Sequence, residues 1–306
     1  MGEENITLWT EFVLAGLLHL KSPIVFVGVI NSMFVIALIG NSLFLFLIKV
    51  DSRLHIPMYF FLSQLSIMDL CQVLAIVPMM TVNFATSSYT ISLYGCALQI
   101  FVTLALGGAE CLILATMAYD RYVAICRPLQ YPILLSGKIC CIMSLCTWFW
   151  SCVQALVCSL YVLPLPYCRT NVIIQNLCEY PALLQLSCSD NSAFEKAVYL
   201  GCLLLFLIPI SVIFASYLAI LLQVLRMTSM ERSYKALSTC LSHLCVVGFF
   251  YGAAIFTYMT PISSYSAEKA VINSVFTTIF PPMINPFIYS LRNQDVLAAF
   301  RKVIAK

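Results

Sequence analysis

The chain has 306 residues, a formal net charge of +3, 62% hydrophobic content and only 9% charged residues, against the roughly 45–50% apolar content of a soluble globular domain. With a mean hydropathy of +0.97, this composition excludes a water-soluble protein. The basic residues are spread over several short polar segments, so no patch suited to nucleic acid forms, and contacts with membrane lipid or a cytoplasmic partner are the better reading.

A hydrocarbon core about 30 Å thick needs about 20 apolar residues per helix. Seven stretches supply them, near 24–48, 57–82, 97–121, 139–163, 195–225, 236–260 and 270–291. The expected fold is all-α, a seven-transmembrane helix bundle over 24–291, with a tail at 1–23 and a short amphipathic C-terminal helix and tail at 292–306.

The first residues, "MGEENITLWTE", are acidic where a signal peptide begins basic, so the first span is expected to target the chain. Lys49 and Arg53 follow span one, Arg127 and Lys138 follow span three, Arg226, Arg232 and Lys235 separate spans five and six, and Arg292, Arg301, Lys302 and Lys306 follow span seven. By the positive-inside rule these segments are cytoplasmic. The opposite segments carry Glu3, Glu4, Glu11, Glu179, Asp190, Glu195 and Glu268. The N-terminus is therefore expected outside and the C-terminus inside, which puts the "NIT" sequon at Asn5 where a glycan can be added.

An ionisable group inside a span is costly unless it faces partners or water, and so marks function. Two acids lie deep, Asp69 in span two and Glu110 in span three. With Asn41 in span one and Asn285 in span seven they are expected to form a polar cluster around water or a cation. Two carboxylates in one cavity repel unless one is neutralised, by a sodium ion at Asp69 and Glu110 or by a proton. At about 100° per residue, Thr103, Gly107, Leu114 and Arg121 share a face with Glu110. Arg121 then points inward at the foot of span three, beside Asp120 in "MAYDRYVAIC". This pair reads either as a switch that can exchange partners or as ordinary charge at a cytoplasmic helix end.

Ten of the 15 cysteines fall inside spans and read as small apolar filler. Cys96, Cys168, Cys178 and Cys188 fall in outer segments, where two bridges are expected and three pairings are possible. In span six, Ser242 and His243 diverge by about 100° and cannot act as nucleophile and base, so His243 reads as an inward polar residue. Span seven, "FPPMINPFIYSLRN", holds Pro281, Pro282 and Pro286. It is expected to be kinked, with Asn285 satisfying a freed carbonyl. In the tail, Val296, Leu297, Phe300 and Ile304 share a face away from Arg301 and Lys302, as in a helix lying on a membrane surface.

These residues resemble the rhodopsin-like G-protein-coupled receptors, and among them the olfactory (odorant) receptors, over nearly the whole chain. The motifs are "GN" at Gly40, "LHIPMYFFLSQLSIMDLC" from Leu54, "MAYDRYVAIC" from Met117, "SY" at Ser216, "KALSTCLSHL" from Lys235 and "NPFIY" from Asn285. "MAYDRY" and "FYG" at Phe250 look like the tetrapod-type (class II) branch. The resemblance implies that Asp120, Arg121 and Tyr122 form a switch for a G protein, with Tyr217 and Tyr289 stabilising Arg121 once span six swings out. It also implies bridges Cys96–Cys178 and Cys168–Cys188, and an aromatic toggle at Tyr251. The implied activity is odorant binding that activates the olfactory stimulatory heterotrimeric G protein at the plasma membrane and raises cyclic AMP.

The outer halves of spans three, five, six and seven carry no charged side chain away from the interface. A charged ligand would lack a buried partner, so a small neutral, largely apolar molecule is expected. Gly107 and Gly108 are expected to open space, Thr103, Tyr258 and Thr278 to offer hydroxyls, and Leu104, Cys202, Leu205, Phe206 and Ile255 to line walls. A transporter is disfavoured because the spans show no inverted repeat, and an enzyme because no nucleophile–base pair or metal-spaced cluster appears.

Overall fold

In the computed structural model the described residues are 9–189, 192–259, 267–291 and 293–304. Asn5 and the side chain of Tyr258 lie outside them. Helices α1 (Pro23–Val50), α2 (Pro57–Thr86), α3 (Leu93–Cys126), α5 (Gly137–Val162), α7 (Ser192–Leu225) and α8 (Met230–Met259) are each long and apolar enough to cross a bilayer. α9 (Ala267–Thr278) and α10 (Phe280–Leu291) together make the seventh crossing. Short helices α4 (Tyr131–Leu134), α6 (Tyr180–Leu186) and α11 (Gln294–Ile304) lie between and after them. Seven crossings put the chain ends on opposite sides, here called the N-terminal and C-terminal faces.

Local chemistry sets the helix ends. Pro23 and Pro57 open α1 and α2, where a missing N–H costs nothing. Ser92 caps α3 by accepting from the Gly95 N–H at 3.1 Å. Ser87 ends α2 in the left-handed region at φ 53°.

α3 is the central helix, packing against α2, α5, α7 and α8. α5 meets it through a stripe of small residues, Cys140, Ser144, Thr147, Ser151, Ala155 and Cys158. Such stripes let backbones approach closely in lipid, where dispersion rather than the hydrophobic effect holds helices together. The opposite side of α5 exposes Phe149 and Trp150, and α7 exposes Phe214 and Leu225, apolar surface that a bilayer covers.

The seventh crossing breaks at Ile279, just before the prolines. Pro282 and Pro286 lack N–H groups, so the carbonyls four residues earlier, on Thr278 and Pro282, lose their helical donors. Gln72 Nε2 donates to the Thr278 carbonyl at 3.0 Å, and Asn41 Nδ2 donates to the Pro282 carbonyl at 2.9 Å. Asn285, expected to serve a freed carbonyl, instead donates to both oxygens of Asp69 at 3.1 and 3.3 Å. The reason is geometric: the orphan carbonyls face α1 and α2, and the amides on those helices reach them first. Replacing Asn41 by valine leaves the Pro282 carbonyl without a donor. The expected loss is about 1–3 kcal/mol, read as a lower melting temperature of the purified receptor in detergent.

At the N-terminal face, part of the stretch read as a tail is ordered. β1 (Glu11–Leu14) pairs antiparallel with β2 (Thr90–Ser92) and parallel with β3 (Val172–Ile173). Phe12 and Leu14 point into a buried cluster with Tyr167, Leu183, Leu184 and Leu186. Bridges Cys96–Cys178 and Cys168–Cys188 tie this cap to α3 and close the loop that carries α6.

At the C-terminal face, α11 buries Val296 and Ala299 and partly buries Val303, while Phe300 and Ile304 are exposed. The stripe 296–299–303 faces the bundle, and Phe300 and Ile304, on the face expected to lie on a membrane surface, point outward. This side of α11 packs on α1 and on residues 52–54. Asp51, held well below the usual carboxylate range by the Arg53 side chain, accepts from Arg53 Nε at 2.9 Å and braces that loop.

Candidate ligand site and its coupled switch

Three polar levels are stacked along α3. Toward the N-terminal face stand the residues expected to meet a ligand. The Thr103 hydroxyl donates back to the Gln99 carbonyl at 2.9 Å, and the Thr278 hydroxyl to the Ser274 carbonyl at 2.6 Å. A Cβ added at Gly107 would meet nothing within 4 Å, whereas one at Gly108 would press on Leu205 Cδ2 at 3.1 Å and Ser151 Oγ at 3.2 Å. Gly107 therefore leaves space, and Gly108, expected to do the same, is a packing glycine filled by its neighbours. Leu104 packs against the cap cluster. Cys202 accepts from Gln154 Nε2 at 3.3 Å. Phe206 meets Tyr251 edge-on at 4.7 Å, and Tyr251 is buried with its hydroxyl unpartnered. Ile255 is 44% exposed, less enclosed than a wall residue.

At the middle level Asn41, Asp69, Glu110 and Asn285 are all buried, and the Asp69 and Glu110 carboxyls are close enough to interact. Asn41 Oδ1, Ser66 Oγ, Glu110 Oε1 and Asn285 Oδ1 have no hydrogen-bond partner. Orphaned buried oxygens of this kind call for water or a hard cation. The donor set, oxygen only, fits such an ion.

At the C-terminal face Arg121 Nη2 lies 3.2 Å from Asp120 Oδ2. Asp120 is fully buried, and Tyr131 Oη donates to its Oδ1 at 2.8 Å. Tyr217 Oη is 2.6 Å from His243 Nδ1, tying α7 to α8. The Tyr289 hydroxyl has no partner, and its ring packs on Phe44. Tyr122 lies under the Arg127 guanidinium, 5.8 Å from the ring centre. Neither Tyr217 nor Tyr289 bonds Arg121 in this conformation.

Several contributors escape a reading of the sequence. Gln72, Gln99 and Gln154 are uncharged, and such amides inside spans draw no attention in a search for ionised groups. Tyr131 lies beyond the span that carries Asp120. His243 stood out as inward and polar, but its partner lies 26 residues away on another helix.

Comparison with known proteins agrees with this arrangement. A protein-family model described as olfactory receptor matches residues 30–306. The chain is 43% identical over 307 aligned positions to human Olfactory receptor 2M2, covering 100% of this chain and 88% of that protein. It is 47% identical over 298 positions to human Olfactory receptor 2T2, covering 97% and 92%. The crystal structure of squid rhodopsin has the same fold, with a TM-score of 0.71 at 19% identity over 90% of this chain and 83% of that one. The chain belongs to the olfactory receptor family and is a multi-pass membrane signalling receptor, not an enzyme.

Proposed function

We propose that this receptor lies in the plasma membrane with its N-terminal face outside, where Asn5 carries a glycan. It binds a small neutral volatile molecule among α3, α7, α8 and the α9–α10 span. Ligand binding then opens the C-terminal face to the olfactory stimulatory heterotrimeric G protein and raises cyclic AMP. The observation that carries this reading is the double latch at the C-terminal face: Arg121 held by Asp120, and Tyr217 held by His243. One is an ion pair and the other a hydrogen bond, and a ligand that favours an open state by a few kcal/mol redistributes both. A sodium ion or a shared proton at Asp69 and Glu110 stabilises the closed state and is displaced on opening.

The test is a panel of volatile compounds applied to cells that express the receptor with a cyclic AMP reporter, with and without the stimulatory alpha subunit. A response that survives removal of that subunit sinks the G-protein assignment. The loop after α3 adds a second handle. Leu129 is 94% and Ile133 72% exposed beside Arg127, apolar side chains placed to enter a partner's pocket. Leu129→Ala is expected to lower the maximal cyclic AMP response by roughly tenfold, the scale of one interface anchor, with surface display unchanged.

A further inference from the structure

The loop bridged to the head of α3 holds an acid that a search of the spans passes over. Glu179 directly follows Cys178, whose backbone N–H donates to Gln99 Oε1 at 2.8 Å. Gln99 stands four residues before Thr103 on α3, about 6 Å along the helix axis. The Glu179 backbone therefore stands about one helical turn beyond Thr103 toward the N-terminal face. Its carboxyl is partly buried, accepts from Gln175 Nε2 at 3.2 Å, and forms no ion pair with a described residue.

Burial pushes the Glu179 carboxyl above its ordinary range, against the pull of the Gln175 bond. It is a group short of donors. The Gln99 side-chain nitrogen, on the amide that holds the Cys178 backbone, is a buried donor with no acceptor. The hydroxyl hydrogens of Thr103 and Thr278 are spent on their own helices, so these residues turn only lone pairs toward the space between the helices. The polar groups at this end of α3 thus want a donor at Glu179 and an acceptor at Gln99, and a hydroxyl group is both.

We propose that Glu179 and Gln99 select odorants that carry a hydroxyl, the alcohol or phenol O–H donating to Glu179 Oε1 and its oxygen accepting from Gln99 Nε2. This rests on the reading of the chain as a receptor for a small neutral molecule and names the class of that molecule. A methyl ether or ketone of the same skeleton offers acceptors alone, so it gives Glu179 nothing and loses a hydrogen bond to a charged group. The expected discrimination is roughly ten- to hundredfold in potency.

The experiment compares matched skeletons (alcohol, methyl ether, ketone and primary amine) on the full-length receptor in cyclic AMP reporter cells, with responses scaled to surface staining. In the wild type, alcohols are expected at concentrations ten- to hundredfold below their methyl ethers. Glu179→Ala should bring that ratio toward unity while ether responses hold. Glu179→Gln, which keeps the size of the side chain and guards against a folding defect, should give an intermediate ratio. Equal potency of alcohols and ethers in the wild type, a ratio that persists in both variants, or amines outranking alcohols would each overturn hydroxyl selection. A panel in which no compound of any class raises cyclic AMP would contradict the receptor reading itself.

Discussion

Arg121→Ala is expected to abolish ligand-driven cyclic AMP while leaving receptor detectable at the cell surface. On the proposed reading the guanidinium leaves Asp120 and is met by Tyr217 and Tyr289 from other helices, so alanine removes the moving part of the latch. Asp120 keeps its bond from Tyr131, which limits the damage to the fold. Arg121 is also 15% exposed, so the cost lies below the roughly 3–5 kcal/mol of breaking a fully buried pair. Lysine should not rescue, because a single ammonium cannot reproduce the planar fork of donors. Dose–response curves beside flow cytometry of an N-terminal tag separate the two effects, and a fully responsive alanine variant would remove Arg121 from the switch.

The second large effect is expected at the disulfide cap. Cys178→Ser opens a bridge that spans 82 residues, and Cys188→Ser one that spans 20. On the chain-entropy estimate the first contributes about 4–5 kcal/mol and the second about 3 kcal/mol. Cys178→Ser should therefore nearly eliminate surface display, since it also frees the segment whose N–H is held by Gln99 and which seats Leu183 and Leu184 over the bundle. Cys188→Ser should reduce display less. Surface staining of both serine variants checks the order, and a milder loss at Cys178 would show that the cap stands without its anchor to α3.

Much of the architecture was legible in the chain because lipid imposes a one-dimensional rule. A span must be apolar along its length, so the seven runs stood out, and the prolines of "FPPMINP" announced a break that falls at Ile279. β1 was not legible: "EFVL" is only four residues long, and its partners, Ile91 and Val172, come from two distant loops. The prolines implied orphan carbonyls but could not name the donors. Asn41 lies 241 residues from Pro282, and Gln72 lies 206 from Thr278. Gly107 and Gly108 looked alike in sequence, and only the positions of Leu205 and Ser151 separate them. Glu179 reads as a loop charge because nothing in its neighbours along the chain says that the Cys96–Cys178 bridge draws its backbone to the head of α3.

By itself, then, the sequence determined what depends on composition and local pattern. That includes the number of crossings, the rarity and depth of Asp69 and Glu110, the expected sidedness from Lys and Arg, the broken seventh span and the family. The tertiary structure alone decided who meets whom: Asn285 on Asp69, Tyr217 on His243, Tyr131 on Asp120, and Val296 with Ala299 inward on α11. The physical reason is range. Burial in lipid acts on each residue according to its own side chain, whereas a hydrogen bond exists only when two groups far apart in the chain are brought within about 3 Å in the right orientation.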